Sequence, residues 1–285
     1  MDTIRTIETF EKTITLEGRT IMYDVTGEGP PIVFVHGVWA TGGIWYDVID
    51  RLAPNFTCIN IHLPLGVHRY PSPRNVDHSP KALARVIAGL LEALDLRDVT
   101  LVGNDTGGAL CQLVIANDPE RVGRLVLTNC DAFEIFPPKR LAPIYFAARI
   151  PALWWLLSKA TLLPRVQKRF FATVAHAKPD RETLNMLLSR FANNASVRED
   201  LRLTICAIGP KVTLEAAKRF ASFEREVLIL WGKDDIFFPL SLGRRLAGAF
   251  PRARIQPIDN AMLFVSVDAT PTVSAAIAEF ASSRP

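Results

Sequence analysis

Apolar positions change their spacing along the chain, and the changes divide it. Thr13–Leu16 alternates apolar with polar residues and Thr20–Val25 is rich in strand formers, which predicts two strands joined at Glu17-Gly18-Arg19. Ile32-Val33-Phe34-Val35 and Phe56–Ile61 are short apolar runs, the pattern of strands covered on both faces. A helix is expected near Ile44–Ile49. Over Pro80–Leu94 the residues Leu83, Val86, Ile87, Leu90, Leu91 and Leu94 fall on one helical stripe. A β run then enters a helical pattern over Ala109–Ala116, and Arg124–Thr128 reads as a further strand. Strands alternating with helices predict the α/β class, with a mostly parallel sheet covered by helices.

After Asp131 the pattern changes. No clear strand occurs until about Glu224, and helical stripes cover Leu141–Arg149, Pro151–Lys159, Pro164–Val174, Arg181–Asn193, Val197–Ile208 and Leu214–Phe220. Prolines at 137, 138, 143, 151, 164, 179 and 210 punctuate them. Val227–Trp231 resumes the sheet, Arg254–Ile258 is a last strand, and Thr272–Ala281 is a closing helix. The expected organisation is a core of 1–131 and 225–285 with a helical cap, 132–224, inserted into it.

Composition narrows the function. A chain of 285 residues can bury a sizeable core, and 49% hydrophobic with 22% charged residues suits a globular protein. The net charge of +4 comes from scattered lysines and arginines, so nucleic-acid binding is not indicated. Cysteines 58, 111, 130 and 206 lie far apart without metal-ligand spacing, which predicts buried thiols in a reducing compartment. The N-terminus shows no apolar signal segment, so a cytoplasmic location is expected. Leu141–Leu163 is apolar, but Arg149, Pro151 and Lys159 interrupt it, against a transmembrane helix. Trp154 and Trp155 could dip into an interface; a cap helix lining a pocket is the preferred reading. No metal cluster or dinucleotide fingerprint is present, so no cofactor is expected.

The chemistry centres on Gly103-Asn104-Asp105-Thr106-Gly107-Gly108, between a strand and a helix. Small neighbours suit a sharp turn whose central side chain is thrust outward from a strained backbone. The stretch resembles the nucleophile elbow of the α/β-hydrolase family, with Asp105 where Ser is commoner. His36-Gly37 after an apolar strand resembles the family's oxyanion loop, and Trp231-Gly232-Lys233-Asp234-Asp235-Ile236-Phe237-Phe238-Pro239 resembles its acid loop. The resemblance spans essentially the whole chain. It points to the Asp-nucleophile branch, which holds haloalkane dehalogenases, fluoroacetate dehalogenases and epoxide hydrolases. It implies an α/β-hydrolase fold, a nucleophilic Asp105, an oxyanion hole from the Val38 and Thr106 amides, and Asp235 as the acid that orients a histidine. Asp131, just past the Arg124–Thr128 strand, is a second candidate for that acid.

The chain departs from that branch at the base. The loop Asp259-Asn260-Ala261-Met262-Leu263-Phe264-Val265 places Leu263 where the family's histidine stands, and no histidine follows His176. Leucine cannot take a proton from water. Thr106 stands where haloalkane dehalogenases carry a tryptophan for the leaving halide, and only Tyr145 lies in the cap where epoxide hydrolases use a pair of tyrosines. Trp39 is a pocket candidate; His36 reads as a structural histidine of its loop, and His62 as a structural loop histidine with a replacement base as the alternative. The expected function is an atypical hydrolase acting through Asp105 on a hydrophobic small molecule. The alternatives are a lyase, isomerase or cyclase using Asp105 as general acid or base, and a non-catalytic small-molecule binder.

Overall fold

A computed structural model describes residues 12–177 and 188–283. Eight strands form one sheet in the order β1-β2-β4-β3-β5-β6-β7-β8. They are β1 (Lys12–Leu16), β2 (Arg19–Thr26), β3 (Pro31–Val35), β4 (Thr57–His62), β5 (Val99–Asp105), β6 (Val122–Cys130), β7 (Glu226–Gly232) and β8 (Ala253–Ile258). β2 runs antiparallel to β1 and to β4, and the pairings from β4 through β3, β5, β6 and β7 to β8 are parallel. Both faces of the middle strands are covered, and every residue of β5 is buried. That is why these strands read as unbroken apolar runs while β1 alternates.

The flanking helices follow from their stripes and caps. Helix α1 (Tyr46–Leu52) packs Val48, Ile49 and Leu52 on one face of the sheet. Helix α2 (Pro80–Ala93) starts where the Ser79 hydroxyl accepts the Ala82 amide, with Pro80 in its first turn. Leu83, Val86, Ile87, Leu90 and Leu91 of α2 are buried on the other face. Burial of each contributes about 2 kcal/mol. Helix α3 (Thr106–Asn117) is buried from Thr106 to Ala116, so it has almost no solvent face to show in its sequence.

Between β6 and β7 the described residues form helices and no named strand. They include α4 (Ala142–Ala148), α5 (Pro151–Ala160) and α6 (Pro164–Phe171), then residues 188–193, Ala195–Ala207 and Pro210–Ala217. The first part of the expected helix Arg181–Asn193 lies outside the described residues. The helix expected at Leu214–Phe220 begins earlier, because Pro210 suits a first helical turn and the chain is already committed there. His62 is the last residue of β4, paired with Met22, rather than the first of a loop. Cys58, Cys111 and Cys130 are buried free thiols, as expected of residues in the sheet and its central helix, whereas Cys206 is exposed near the end of Ala195–Ala207.

Candidate active site

β5 and α3 meet without a linker, and Asp105 is the junction. Its backbone has φ 53° and ψ −131°, a conformation that a side chain adopts only under constraint. The constraint is close packing. A Cβ on Gly107 would overlap the backbone of His36, and one on Gly37 would overlap the Asp105 carboxylate itself. Glycine at these two positions lets the loop after β3 close over the turn.

The Val38 amide donates to Asp105 Oδ2 at 3.0 Å, and the Thr106 amide lies close enough to the carboxylate to lower its pKa. The two expected oxyanion-hole donors therefore meet at the Asp105 carboxylate. The loop carrying Val38 is fixed by His36. Its Nδ1 donates to Gly37 O (2.8 Å) and its Nε2 accepts the Leu63 amide (3.1 Å). Burial pushes the His36 pKa down to about 3, so the ring stays neutral and keeps both bonds. Burial also raises the Asp105 pKa to about 7; the Thr106 and Val38 amides oppose the rise, and the Asp235 charge adds to it.

Asp131 follows β6 and is fully buried. The Thr106 hydroxyl donates to its Oδ2 at 3.3 Å, while its Oδ1 has no hydrogen-bond partner. Thr106 thus serves two carboxylates, with its amide close to Asp105 and its hydroxyl on Asp131. Burial, and then the charge of Asp105, hold the Asp131 pKa well above the usual carboxylate range. Burial thus pushes both carboxyl groups toward their protonated forms. Tyr145 of α4 is close enough that both carboxylates, after burial, raise its pKa.

Asp235, after β7, is of a different kind. Its Oδ1 accepts the Phe237 amide (2.7 Å) and the Phe238 amide (3.3 Å), and its Oδ2 accepts Asn129 Nδ2 at 2.8 Å. Burial raises its pKa to about 6 against those donors. Asn129 also bonds both backbone groups of Gly232, at 2.6 and 3.1 Å.

Leu263 is buried, and its carbonyl accepts Asn104 Nδ2 at 2.8 Å. The same amide nitrogen donates to Thr128 Oγ1 (2.9 Å) and Asn129 O (3.3 Å). The loop after β8 is therefore tied directly to the residue before Asp105. It is also tied to the helical segment, since the Phe264 amide donates to Val174 O at 2.8 Å. Asp268 Oδ2 accepts the Met262 amide, while its Oδ1 accepts the His176 and Ala177 amides.

A match to the alpha/beta hydrolase fold family covers residues 30–262, more than half of the chain. The chain belongs to that family. It is 26% identical over 275 residues to haloalkane dehalogenase 2 of Mycobacterium tuberculosis, covering 91% of this chain and 90% of the relative. It is 25% identical over 281 residues to a cis-3-alkyl-4-alkyloxetan-2-one decarboxylase of Shewanella oneidensis, covering 92% and 85%. Among solved structures, an alpha/beta hydrolase fold protein of Burkholderia ambifaria superposes with a TM-score of 0.81 at 22% identity, over 94% of this chain and 97% of that one.

The other candidates fall outside this constellation. His62 Nε2 donates to Asp24 Oδ2 at 2.8 Å and is tied to β2. Trp39, with φ 54°, packs against Trp154, Phe170 and Phe191 of the helical segment. Asn104, Asn129 and Asp268 were not singled out from the sequence. A signal existed for Asn129, because Thr128-Asn129 is a polar pair at the end of a fully buried strand.

Proposed function

We propose that this α/β-hydrolase-fold chain is an enzyme that acts on a hydrophobic small molecule through Asp105 as nucleophile. The helices of 132–224 serve as the cap over the site. What carries the reading is the Asp105 carboxylate held by the Val38 amide and close to the Thr106 amide at a strained strand-to-helix turn. Such a turn is costly and presents its side chain for reaction. Asp235 is braced by three donors and acts as a positioning residue for the loop around Gly232.

Asp131 supplies the proton chemistry that Leu263 cannot. The substrate class that fits is an epoxide rather than an alkyl halide. The Thr106 hydroxyl points to Asp131 and offers no ring N–H to a halide, whereas a protonated carboxyl beside the nucleophile suits an oxygen leaving group. In the first step the Asp105 carboxylate bonds to a ring carbon, the C–O bond of the epoxide breaks, and the oxygen takes the proton of Asp131. The Asp105 ester is neutral, so Asp131 is stable as a carboxylate. In the second step Asp131 takes a proton from water and the hydroxide adds to the ester carbonyl of Asp105. The tetrahedral oxyanion sits on the Val38 and Thr106 amides. It collapses with release of the diol, its hydroxyl proton passing to the departing oxygen, and both carboxyl groups return to their first state.

The test is intact mass after incubation with a long-chain epoxide, a matched alkyl halide and an activated ester. An adduct of the epoxide on the wild type is expected to be absent in Asp105→Asn and to persist in Asp131→Asn. Neither adduct nor diol from any epoxide overturns the assignment. A second reading keeps Asp105 as a proton-transfer group without a covalent step, and its raised pKa favours it. That reading requires product and solvent-deuterium incorporation with no adduct at any time.

A further inference from the structure

The outward side of α4, α5 and the turn before α6 is unlike an ordinary helix surface, where exposed positions are polar. On α5 the exposed positions are Pro151, Ala152, Leu153, Trp155 and Leu156. Of the nine exposed large hydrophobic residues among those described, six lie within 146–163: Phe146, Ile150, Leu153, Trp155, Leu156 and Leu163. Phe146 is 61% exposed, Trp155 51%, Leu156 58% and Leu163 57%, whereas neighbouring Trp154 is 2% exposed and donates its ring N–H to Arg198 O. α5 is thus apolar on both sides. Its inner side has partners, and its outer side is left to water.

Charge supplies the second observation. Between Glu134 and Asp180 the chain has no acidic residue and eight basic ones, while the whole chain carries only +4. Arg140 and Arg149, which flank α4, and Arg165, Lys168 and Arg169 of α6 are exposed. No single described helix is long and apolar enough to cross a membrane, and the pair Lys139–Ala148 and Pro151–Ala160 is bent by 116°. A bent, basic, aromatic-bearing helix pair suits the plane of a membrane interface rather than its interior.

We propose that this face docks on an anionic lipid surface. Phe146, Trp155, Leu156 and Leu163 enter the boundary between headgroups and acyl chains, and the arginines that flank α4 and those of α6 lie along the lipid phosphates. A second copy of the chain is a poorer occupant, because joining two such faces brings two basic segments together. Indole rings favour the interface, and each basic side chain near an anionic surface strengthens attachment about fivefold. The inference is independent of the reaction at Asp105.

The experiment is co-sedimentation of the full chain with vesicles of phosphatidylcholine alone and of phosphatidylcholine mixed with phosphatidylglycerol, at low and high salt. Binding is expected on the anionic vesicles, with a sharp fall in high salt and on neutral lipid. Arg165→Gln with Arg169→Gln is expected to weaken binding about 25-fold. Trp155→Ser with Leu156→Ser, both on the surface, is expected to weaken it more than about tenfold with an unchanged melting temperature. Brominated acyl chains should quench Trp155 alone, since Trp39, Trp45, Trp154 and Trp231 are buried. Trp155→Phe should therefore bind without quenching. Failure to bind anionic vesicles, or binding indifferent to the Trp155/Leu156 change, overturns the proposal. So does a concentration-dependent dimer that this double variant abolishes, which would assign the face to a second copy.

Discussion

Replacing Asp105 with asparagine should make the protein more stable at alkaline pH. The carboxyl has a pKa of about 7 in the folded chain, against an ordinary 3.8, and burial is the main cause. Between those values the folded protein holds a proton that the unfolded chain releases. Stability therefore declines as pH rises above about 4, and the loss is complete once pH has passed about 7. The gap from 3.8 to about 7, at about 1.36 kcal/mol per pH unit, is about 4 kcal/mol. The amide of the Asp105→Asn variant has no charge to desolvate and avoids that cost. The stronger acceptance of the Val38 and Thr106 amides by a carboxylate is already contained in the value of about 7. The expectation is therefore about 4 kcal/mol of added stability near pH 8, or roughly 8–15 °C in Tm for a chain of this size. The gain should shrink steadily below pH 7 and vanish near pH 3, where the carboxyl is protonated in the folded and unfolded chains alike. Thermal melts of both proteins across this range provide the assay. A difference that does not vary with pH, or an asparagine variant less stable near pH 8, would refute the argument from burial.

Other expectations follow from the same contacts. Gly37→Ala places a methyl group into the Asp105 carboxylate and displaces the Val38 amide, so the rate of adduct formation should fall by about a hundredfold or more in single-turnover mass measurements. Asn129→Leu removes three bonds to Gly232 and Asp235 and should cost about 3 kcal/mol in a urea titration. The epoxide-opening rate should rise as pH increases through about 7, where Asp105 ionises, and fall at higher pH as Asp131 loses its proton. Asp131→Asn should abolish the falling limb and lower the rate by about 10²–10⁴-fold, read from the pH profile of diol formation.

Much of this architecture was legible in the sequence because it rests on short-range pattern. Buried parallel strands show as apolar runs, and the elbow shows as glycines around one acidic residue. The α2 stripe ended within one residue of expectation, since Ser79-Pro80 is a local start signal. What the sequence did not reveal depends on residues brought together from far apart. Nothing near Asn104 announces that its side chain reaches Leu263 O, 159 positions away. Asp131 was visible as a candidate acid, but its unpartnered oxygen and its link to Thr106 are properties of packing. Nothing around His68 in the sequence announces its partner. In the fold it bonds Asp200 at 2.9 Å, and the Ser72 amide joins the same carboxylate at 2.7 Å.

That last bond has a bearing on traffic. The helical segment is tied to the core at several places: through Asp200 to His68 and Ser72, through Val174, His176 and Ala177 to the Phe264–Asp268 turn, through Arg190 to Val67 O, and through Arg219 to Ala116 O. In its proposed role as a cap, a segment fastened at so many points does not swing open as a hinged door does. Passage of a bulky guest must wait for side chains to part or for some of these ties to fail, and the second event is a local unfolding with a steep temperature dependence. A guest held under the proposed cap is then expected to leave slowly, and warming should shorten its stay far more than it speeds ordinary diffusion.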